Sequence, residues 1–263
     1  MANQEKDLRL AVLIDADNAP RTALVDIMAE VAVYGAPTIK RIYGDWTAPN
    51  MESWKPLLLQ HAITPIQQYA YTTGKNSTDS AMIIDAMDIL YSGKVDGFCL
   101  VSSDSDFTRL ATRLREAGMK VIGIGEKKTP NPFIVACDKF VYIEIISQNN
   151  KPLPQSSGKN SKPKKPEAPQ TGIPPECSAE ITPLIASLIA ATIDDVADDD
   201  GWAYLGELGS LLIKKAPDFD PRNFGYKKLT LMMEAMDSVE VDYRQNVQEN
   251  NGKLIYIRNK ARD

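Results

Sequence analysis

The chain has 263 residues, of which 43 % are hydrophobic and 25 % charged, a composition typical of a folded globular protein. The single histidine leaves no partners for histidine-based catalysis or a histidine-based zinc site. The three cysteines form no CxxC pair and no even disulfide set, so the sequence indicates a reducing compartment. The net charge of −5 argues against non-specific nucleic-acid binding, but it averages over domains of different charge.

The N-terminus does not look like a targeting or membrane segment. The first residues are polar and charged, and the apolar run at residues 10–14 is too short for a signal peptide or a membrane span. We therefore expect a cytoplasmic protein.

One stretch divides the chain into two domains. Residues 151–175 contain seven of the 17 prolines and five lysines but one acidic residue, and almost none of their side chains is suited to burial. We predict a flexible linker there, between an N-terminal domain at residues 1–150 and a C-terminal domain at residues 176–263. Both domains are acidic, whereas the linker is basic.

Strand-like and helical patterns alternate through residues 1–150. Apolar runs predict strands at residues 8–14, 38–43, 63–69, 97–102, 120–125 and 139–145, with helices at 21–34, 52–61, 78–92 and 106–117. The first, fourth and fifth strands are almost continuously apolar, as expected when helices cover both faces of a parallel sheet. We predict a doubly wound, mostly parallel α/β sheet, whose ligand site lies beyond the carboxyl ends of its strands.

Acidic pairs follow two of these strands. Asp15 and Asp17 come after the first strand, and Asp104 and Asp106 come after the fourth. Helix N-capping accounts for one aspartate at each helix start, but four carboxylates exceed that need. Two carboxylates about 4 Å apart repel by roughly 4 kcal/mol at an effective dielectric constant of 20, so a cluster of this kind indicates a bound cation.

A further carboxylate is expected from the helix at residues 78–92. Asp79 lies on the apolar stripe that packs on the sheet, which favours it as a ligand over Asp85, and Asp88 is expected on the solvated face. Oxygen ligands without histidine or cysteine select Mg²⁺ or Mn²⁺. Such a site suits phosphodiester cleavage, because the cation activates water and neutralises the phosphate.

Three neighbouring residues are expected to bind substrate. Asn18 and Ser103 are placed to orient ligands or water, although capping and turn formation explain them equally well. Lys75, ahead of Asp79, is suited to hold a substrate phosphate, or is an ordinary loop lysine.

Three segments of this domain resemble a known family. LIDADN, KNSTDSAMIIDAMDIL and VSSDSDFTRLATRLREAGMKVIGIG, spread over about residues 8–144, resemble the NYN domain, a PIN-like nuclease domain that includes the LabA-like (DUF88) group. The resemblance implies metal-dependent endoribonuclease activity, with acidic ligands at Asp15, Asp79, Asp104 and Asp106. Asp85 matches a less central acidic position of the family. Asp17 departs from the common pattern, in which a small residue stands there, and is either a further ligand or a capping group.

The C-terminal domain has a winged-helix pattern. Helices are predicted at residues 180–191, 204–214 and 227–236, and a hairpin at 239–243 and 253–257, turning around residues 250–252. The segment GWAYLGELGSLLIKKAPDFDPRNFGYKKLTLMMEAM resembles the OST-HTH/LOTUS domain, and the match covers about residues 178–258. This resemblance implies RNA binding, to single-stranded or structured RNA, or binding of a protein partner.

Basic side chains in this domain are suited to contact phosphates, although a solvated helix face is the alternative. They surround the predicted turn and third helix, with one more on the wing: Lys214, Lys215, Arg222, Lys227, Lys228 and Arg244. Phe219 and Phe224 are expected in the core.

Together these features predict a metal-dependent ribonuclease whose LOTUS domain recruits RNA or a protein partner. Two alternatives remain open. One is a catalytically weak RNA-binding regulatory adaptor. The other is a phosphatase of the haloacid-dehalogenase type with Asp15 as nucleophile. That class also needs a further strand-end motif, a distant lysine and usually a cap domain, and none of these is clear in this sequence.

Overall fold

The computed structural model describes residues 7–69, 77–149, 180–245 and 253–260. The chain forms two compact units, one built mainly from residues before 150 and the other mainly from residues after 179. Within the described ranges, no helix combines the length and apolar character that a bilayer crossing demands.

The N-terminal unit is built on a six-stranded parallel sheet, as the sequence predicts. In space the strands run in the order β3-β2-β1-β4-β5-β6. Every pair of neighbours is parallel. The strands are β1 (Arg9–Asp15), β2 (Ala36–Gly44), β3 (Thr64–Gln67), β4 (Gly97–Val101), β5 (Lys120–Gly125) and β6 (Lys139–Tyr142).

Helices cover both faces of this sheet. They are α1 (Leu24–Tyr34), α2 (Lys55–His61), α3 (Ser77–Ser92), α4 (Thr108–Glu116), α5 (Asn131–Ala136) and α6 (Ile143–Asn149), and short 3₁₀ turns lead into α1, α2 and α4. Alternate residues of β1 point to opposite faces. Val12 therefore packs with Ile27 of α1, whereas Leu13 packs in the other core with Met82 of α3. Burial on both faces explains why β1 and β4 read as continuous apolar runs.

The end of this unit differs from the sequence prediction. The predicted strand at residues 139–145 is too long, since β6 ends at Tyr142 and α6 begins at Ile143. Ile143 and Ile146 are both buried, a spacing of three that suits a helix, but an apolar run this short does not distinguish helix from strand. The sequence analysis also missed α5, whose six residues are too few for a periodic pattern.

Among its described residues, the C-terminal unit combines three α-helices with a small antiparallel sheet. Its helices are α7 (Pro183–Val196), α8 (Leu205–Lys215) and α9 (Leu229–Glu234), and its strands are β7 (Ala203–Tyr204), β8 (Val239–Gln245) and β9 (Lys253–Asn259). The predicted hairpin is confirmed as the β8–β9 pair, while its turn at residues 250–252 lies outside the described residues. Pro183 occupies the first turn of α7, so this helix begins later than predicted. The two-residue strand β7 was not predicted, and it pairs with β9.

Candidate functional site

Four aspartates approach one another at the carboxyl edge of the parallel sheet. Strands β1 and β4 are neighbours, so Asp15 at the end of β1 lies near the segment that follows β4. Asp79 enters from the first turn of α3. One carboxylate oxygen from each of Asp79, Asp104 and Asp106 lies within 4.8 Å of the other two. The structure thus brings together carboxylates that are far apart in the sequence.

Asp15 is the most buried member of the group, and three hydrogen bonds hold its carboxyl. Its side chain is only 1 % exposed. Its Oδ1 accepts a hydrogen bond from the Asp17 N–H at 3.0 Å, and its Oδ2 accepts one from Asn18 Nδ2 at 2.8 Å and one from Ser102 Oγ at 2.8 Å. Burial raises the pKa of Asp15, and these three donors oppose that rise by stabilising the carboxylate. The result is a buried carboxyl group whose orientation is set by three hydrogen bonds.

Ser102 is a residue of the site that the sequence analysis missed. Its hydroxyl donates to Asp15 and accepts a hydrogen bond from the Asp104 N–H at 3.1 Å, so it joins the ends of β1 and β4. The backbone is also tight here, because a Cβ on Gly125 would lie 2.6 Å from the Ser102 carbonyl oxygen. The only signal in the sequence is that Ser102 is the first polar residue after a buried strand.

Asp79 shows the electrostatic cost of the cluster. Burial, and after it the negative charges of Asp15, Asp104, Asp106 and Asp17, together raise the pKa of Asp79 to about 6. A divalent cation among these side chains would offset their mutual repulsion, and the available donors are carboxylate oxygens. This donor set fits Mg²⁺ or Mn²⁺.

The two additional acidic candidates differ in their surroundings. Asp17 is exposed, and its charge contributes to the raised pKa of Asp79. Asp85 accepts a hydrogen bond from the Tyr43 hydroxyl and forms an ion pair with Arg41, both on β2. The Asp85 carboxylate therefore anchors α3 to the sheet, and its role as a metal ligand, like that of Asp17, stays a prediction.

The predicted substrate-binding residues are engaged within the protein or lie outside the described residues. Asn18 donates to Asp15, and the Ser103 hydroxyl accepts a hydrogen bond from the Glu126 N–H at 2.8 Å. Ser103 is 7 % exposed. Lys75 falls in the segment 70–76, outside the described residues. Substrate binding by these three residues stays a prediction.

The predicted basic residues of the C-terminal unit fall into two groups. Four are exposed on or beside α8 and α9: Lys214, Lys215, Lys227 and Lys228. The other two, Arg222 and Arg244, are held by neighbours. Arg222 forms a two-point hydrogen-bonded pair with the buried Asp220. Arg244 pairs with Asp242 and lies over the ring of Tyr256.

A doubly wound parallel sheet with acidic side chains at its carboxyl edge places the N-terminal unit in the PIN-like class of nuclease folds. A family model for the NYN domain matches residues 9–144, and the chain belongs to the NYN-domain family. A second family model, for the OST-HTH/LOTUS domain, matches residues 172–250. Comparison with curated proteins gives no match.

Among the solved structures similar to this chain are proteins from Nitrosomonas europaea, Vibrio parahaemolyticus and Chromobacterium violaceum. An uncharacterised protein from Nitrosomonas europaea is 35 % identical over 39 % of this chain and 95 % of its own, with a TM-score of 0.32. A protein of unknown function from Vibrio parahaemolyticus is 22 % identical over 54 % of this chain and 96 % of its own, with a TM-score of 0.45. A protein from Chromobacterium violaceum is 33 % identical over 33 % of this chain and 90 % of its own, with a TM-score of 0.26.

Replacing Asp79 by asparagine should stabilise the metal-free protein at neutral pH. The folded pKa of Asp79, about 6, is above its ordinary value of 3.8. The folded state therefore binds the proton more tightly, and stability falls as the pH rises from about 4 to about 6. We expect Asp79→Asn to raise the free energy of unfolding at about pH 7.5 by on the order of 1 kcal/mol, measured by thermal unfolding in EDTA.

Two controls accompany this measurement. The gain should disappear at about pH 3, below both the folded and the ordinary pKa, where the wild-type carboxyl is protonated in both states. MnCl₂ at neutral pH should stabilise the wild type more than the variant. A variant that is less stable than the wild type in EDTA at neutral pH would contradict the raised pKa.

Removing the Ser102 hydroxyl should weaken cation binding. Ser102→Ala leaves the buried Asp15 carboxylate with one donor fewer and removes the acceptor of the Asp104 N–H. We expect Mn²⁺ affinity, measured by isothermal titration calorimetry, to fall about tenfold, the effect typical of losing a hydrogen bond that orients a ligand. Ser105→Ala, at an exposed serine of the same segment, is the matched control. Equal affinities for both variants would argue against this orienting role.

Proposed function

We propose that the protein is a metal-dependent endoribonuclease, with a C-terminal domain that recruits RNA. The NYN domain implies a nuclease-type fold, and the OST-HTH/LOTUS domain implies RNA binding. The observation that carries the proposal is the approach of the Asp79, Asp104 and Asp106 carboxylate oxygens to within 4.8 Å of one another. An uncompensated cluster of this density would destabilise the fold, and cation binding turns it into a site for a phosphodiester.

The aspartates would have different roles at such a site. Asp79, Asp104 and Asp106 would hold Mg²⁺ or Mn²⁺, with Asp15 fixed beside them by its three hydrogen bonds. The bound ion supplies Lewis acidity, which activates water and neutralises phosphate charge. Ser102 and Asn18 orient Asp15, so their contribution is to keep the carboxylates in place before RNA arrives.

The environment of Asp15 favours this function over the phosphatase alternative. An aspartyl nucleophile needs a carboxylate oxygen that reaches the substrate phosphorus. Both oxygens of Asp15 accept hydrogen bonds, and the side chain is 1 % exposed. A fixed ligand or charge fits these surroundings, whereas an attacking group does not.

The C-terminal unit would act by raising the local concentration of RNA. Its four exposed lysines, Lys214, Lys215, Lys227 and Lys228, would contact phosphates without reading sequence. Joining this unit to the nuclease by the chain at residues 151–175 makes the second contact intramolecular. A protein partner bound by the same domain would recruit RNA indirectly, and direct titration with RNA separates these two cases.

Cleavage of RNA should require both the divalent ion and the aspartate cluster. We expect the purified full chain to cut 5′-labelled single-stranded or structured RNA in MnCl₂ or MgCl₂ and to stop in EDTA. Asp104→Asn should lower the rate at least 100-fold, since a lost ligand weakens both ion binding and charge stabilisation. Asp88→Asn, at an exposed position on α3, is the matched control and should keep full activity.

A covalently closed RNA circle tests the endonuclease assignment, because only internal cleavage can open it. Linear products from the circle support the proposal, while degradation of linear RNA alone indicates an exonuclease. RNA binding without cleavage in either metal would favour the regulatory adaptor. Activity that survives Asp104→Asn unchanged would come from a contaminating enzyme or from another site.

A further inference from the structure

One face of the C-terminal sheet carries aromatic rings and arginines together. Tyr204 of β7 lies directly opposite Tyr256 of β9, and Arg258 follows two residues later on the same strand. Residues two apart on a strand share a face, so Arg258 points to the same side as Tyr256. Arg244 of β8 and Trp202, just before β7, join this group through ring contacts. We call these five residues the aromatic face.

The aromatic face is an interlocked set of stacked groups. The guanidinium carbon of Arg244 lies 4.1 Å from the ring centre of Tyr256 and 5.3 Å from that of Trp202. The guanidinium of Arg258 lies 4.6 Å from the ring of Trp202, and the rings of Tyr204 and Tyr256 are 5.9 Å apart. These are cation–π and aromatic contact distances. Ion pairs to Asp242 and Glu240 hold the two arginines at these positions.

Core packing does not require these rings. The core side of β9 is filled by Ile257, which is fully buried, whereas Tyr204 is 39 % exposed and Trp202 and Tyr256 are half-buried. Clustered aromatic surface that the core does not use marks a binding site in many folded proteins. An open sheet face with aromatic side chains is also the arrangement on which RNA-binding domains stack unpaired bases.

We propose that the aromatic face binds unpaired nucleotides of RNA by stacking their bases on its rings and guanidinium planes. This inference rests on the proposed function for its choice of ligand, and it adds a binding surface separate from the exposed lysines of α8 and α9. Duplex RNA does not fit, since its base faces are already covered by neighbouring base pairs.

Lysines flank the rings of the aromatic face along β9, and the carboxylate of Asp198 borders them by accepting a hydrogen bond from the Trp202 N–H at 2.8 Å. Exposed Lys253 and Lys260 lie at the two ends of β9, so the cations of β8, β9 and the residue that follows outnumber the two carboxylates there. Those carboxylates, Glu240 and Asp242, are each paired with an arginine of the aromatic face. Bases would stack on the rings between the lysines, and the lysines would contact the flanking phosphates.

The test measures RNA affinity of the full chain carrying Asp104→Asn, so that the probe stays intact. The probe is a fluorescein-labelled single-stranded RNA of about 12 nucleotides, followed by fluorescence anisotropy. Tyr204→Ala and Tyr256→Ala should each weaken binding about tenfold, and Tyr204→Phe, which keeps the ring, should stay within about twofold. Tyr243→Ala is the matched control. Tyr243 is 46 % exposed and lies on the same sheet, but it directly precedes Arg244 in β8, so its side chain points to the face opposite the aromatic face.

Salt dependence separates stacking from phosphate contact. Lys227→Ala with Lys228→Ala should reduce the slope of log Kd against log salt, whereas the tyrosine variants should leave the slope unchanged. A second readout does not depend on the folding of the tyrosine variants. RNA that contains 4-thiouridine is crosslinked to the full chain carrying only Asp104→Asn, and the crosslinked residues are mapped by mass spectrometry. Crosslinks on β7 or β9 support the proposal.

Tyrosine variants that bind like Tyr243→Ala, or crosslinks confined to α8 and α9, would overturn the inference. A competing protein ligand that binds through the aromatic face while RNA does not would also overturn it. Its failure is distinguishable from failure of the nuclease proposal. If the wild type cleaves RNA but the tyrosine variants bind it normally, only the aromatic-face proposal is rejected. If binding depends on the rings but no cleavage occurs, only the nuclease proposal is rejected.

Discussion

The fold of the N-terminal unit forces several carboxylates together at one edge of its sheet, although their negative charges repel one another. Strand order places β1 beside β4, and α3 packs on one face of the sheet with its first turn at this edge. Asp15, Asp79 and the Asp104 segment therefore converge whether or not their charges favour it. The two apolar cores fix this convergence from both faces of the sheet. Hydrophobic burial thus holds in place a charge cluster that is unfavourable until a cation binds.

Hydrogen bonds give this cluster its order. The Ser102 hydroxyl joins Asp15 to the Asp104 backbone, and the Tyr43 hydroxyl and Arg41 hold Asp85 on α3. These contacts fix one carboxylate in place and tie α3, which carries Asp79, to β2 before any ion arrives. A site prepared in this way loses little entropy on binding, at the cost of the raised pKa of Asp79.

The sequence predicted what depends on local pattern. Asp15 and Asp104 follow apolar strands, and the helical stripe of α3 singles out Asp79, so the cluster was foreseeable from spacing alone. The orienting role of Ser102 was not, because its partner Asp15 is 87 positions away in the chain. The ion pair between Asp85 and Arg41 was not foreseeable either, because the two residues are 44 positions apart.

The C-terminal sheet shows the same division between local and distant contacts. Alternating residues and turn chemistry predicted the β8–β9 hairpin, and basic composition suggested phosphate contact by Arg244. The two-residue strand β7 has no pattern of its own, yet its pairing with β9 brings Trp202 and Tyr204 to the rings and arginines of the hairpin. The position of Arg244 over Tyr256 therefore results from the pairing of β8 with β9, and the basic composition of the segment does not predict it.

The most direct measurement of the central claim is anomalous diffraction from crystals of the full chain soaked in MnCl₂. The account predicts a manganese peak among the carboxylates of Asp79, Asp104 and Asp106, close to Asp15, and its loss in Asp104→Asn crystals. A peak elsewhere, or none at this edge when the protein is saturated with Mn²⁺, would contradict it.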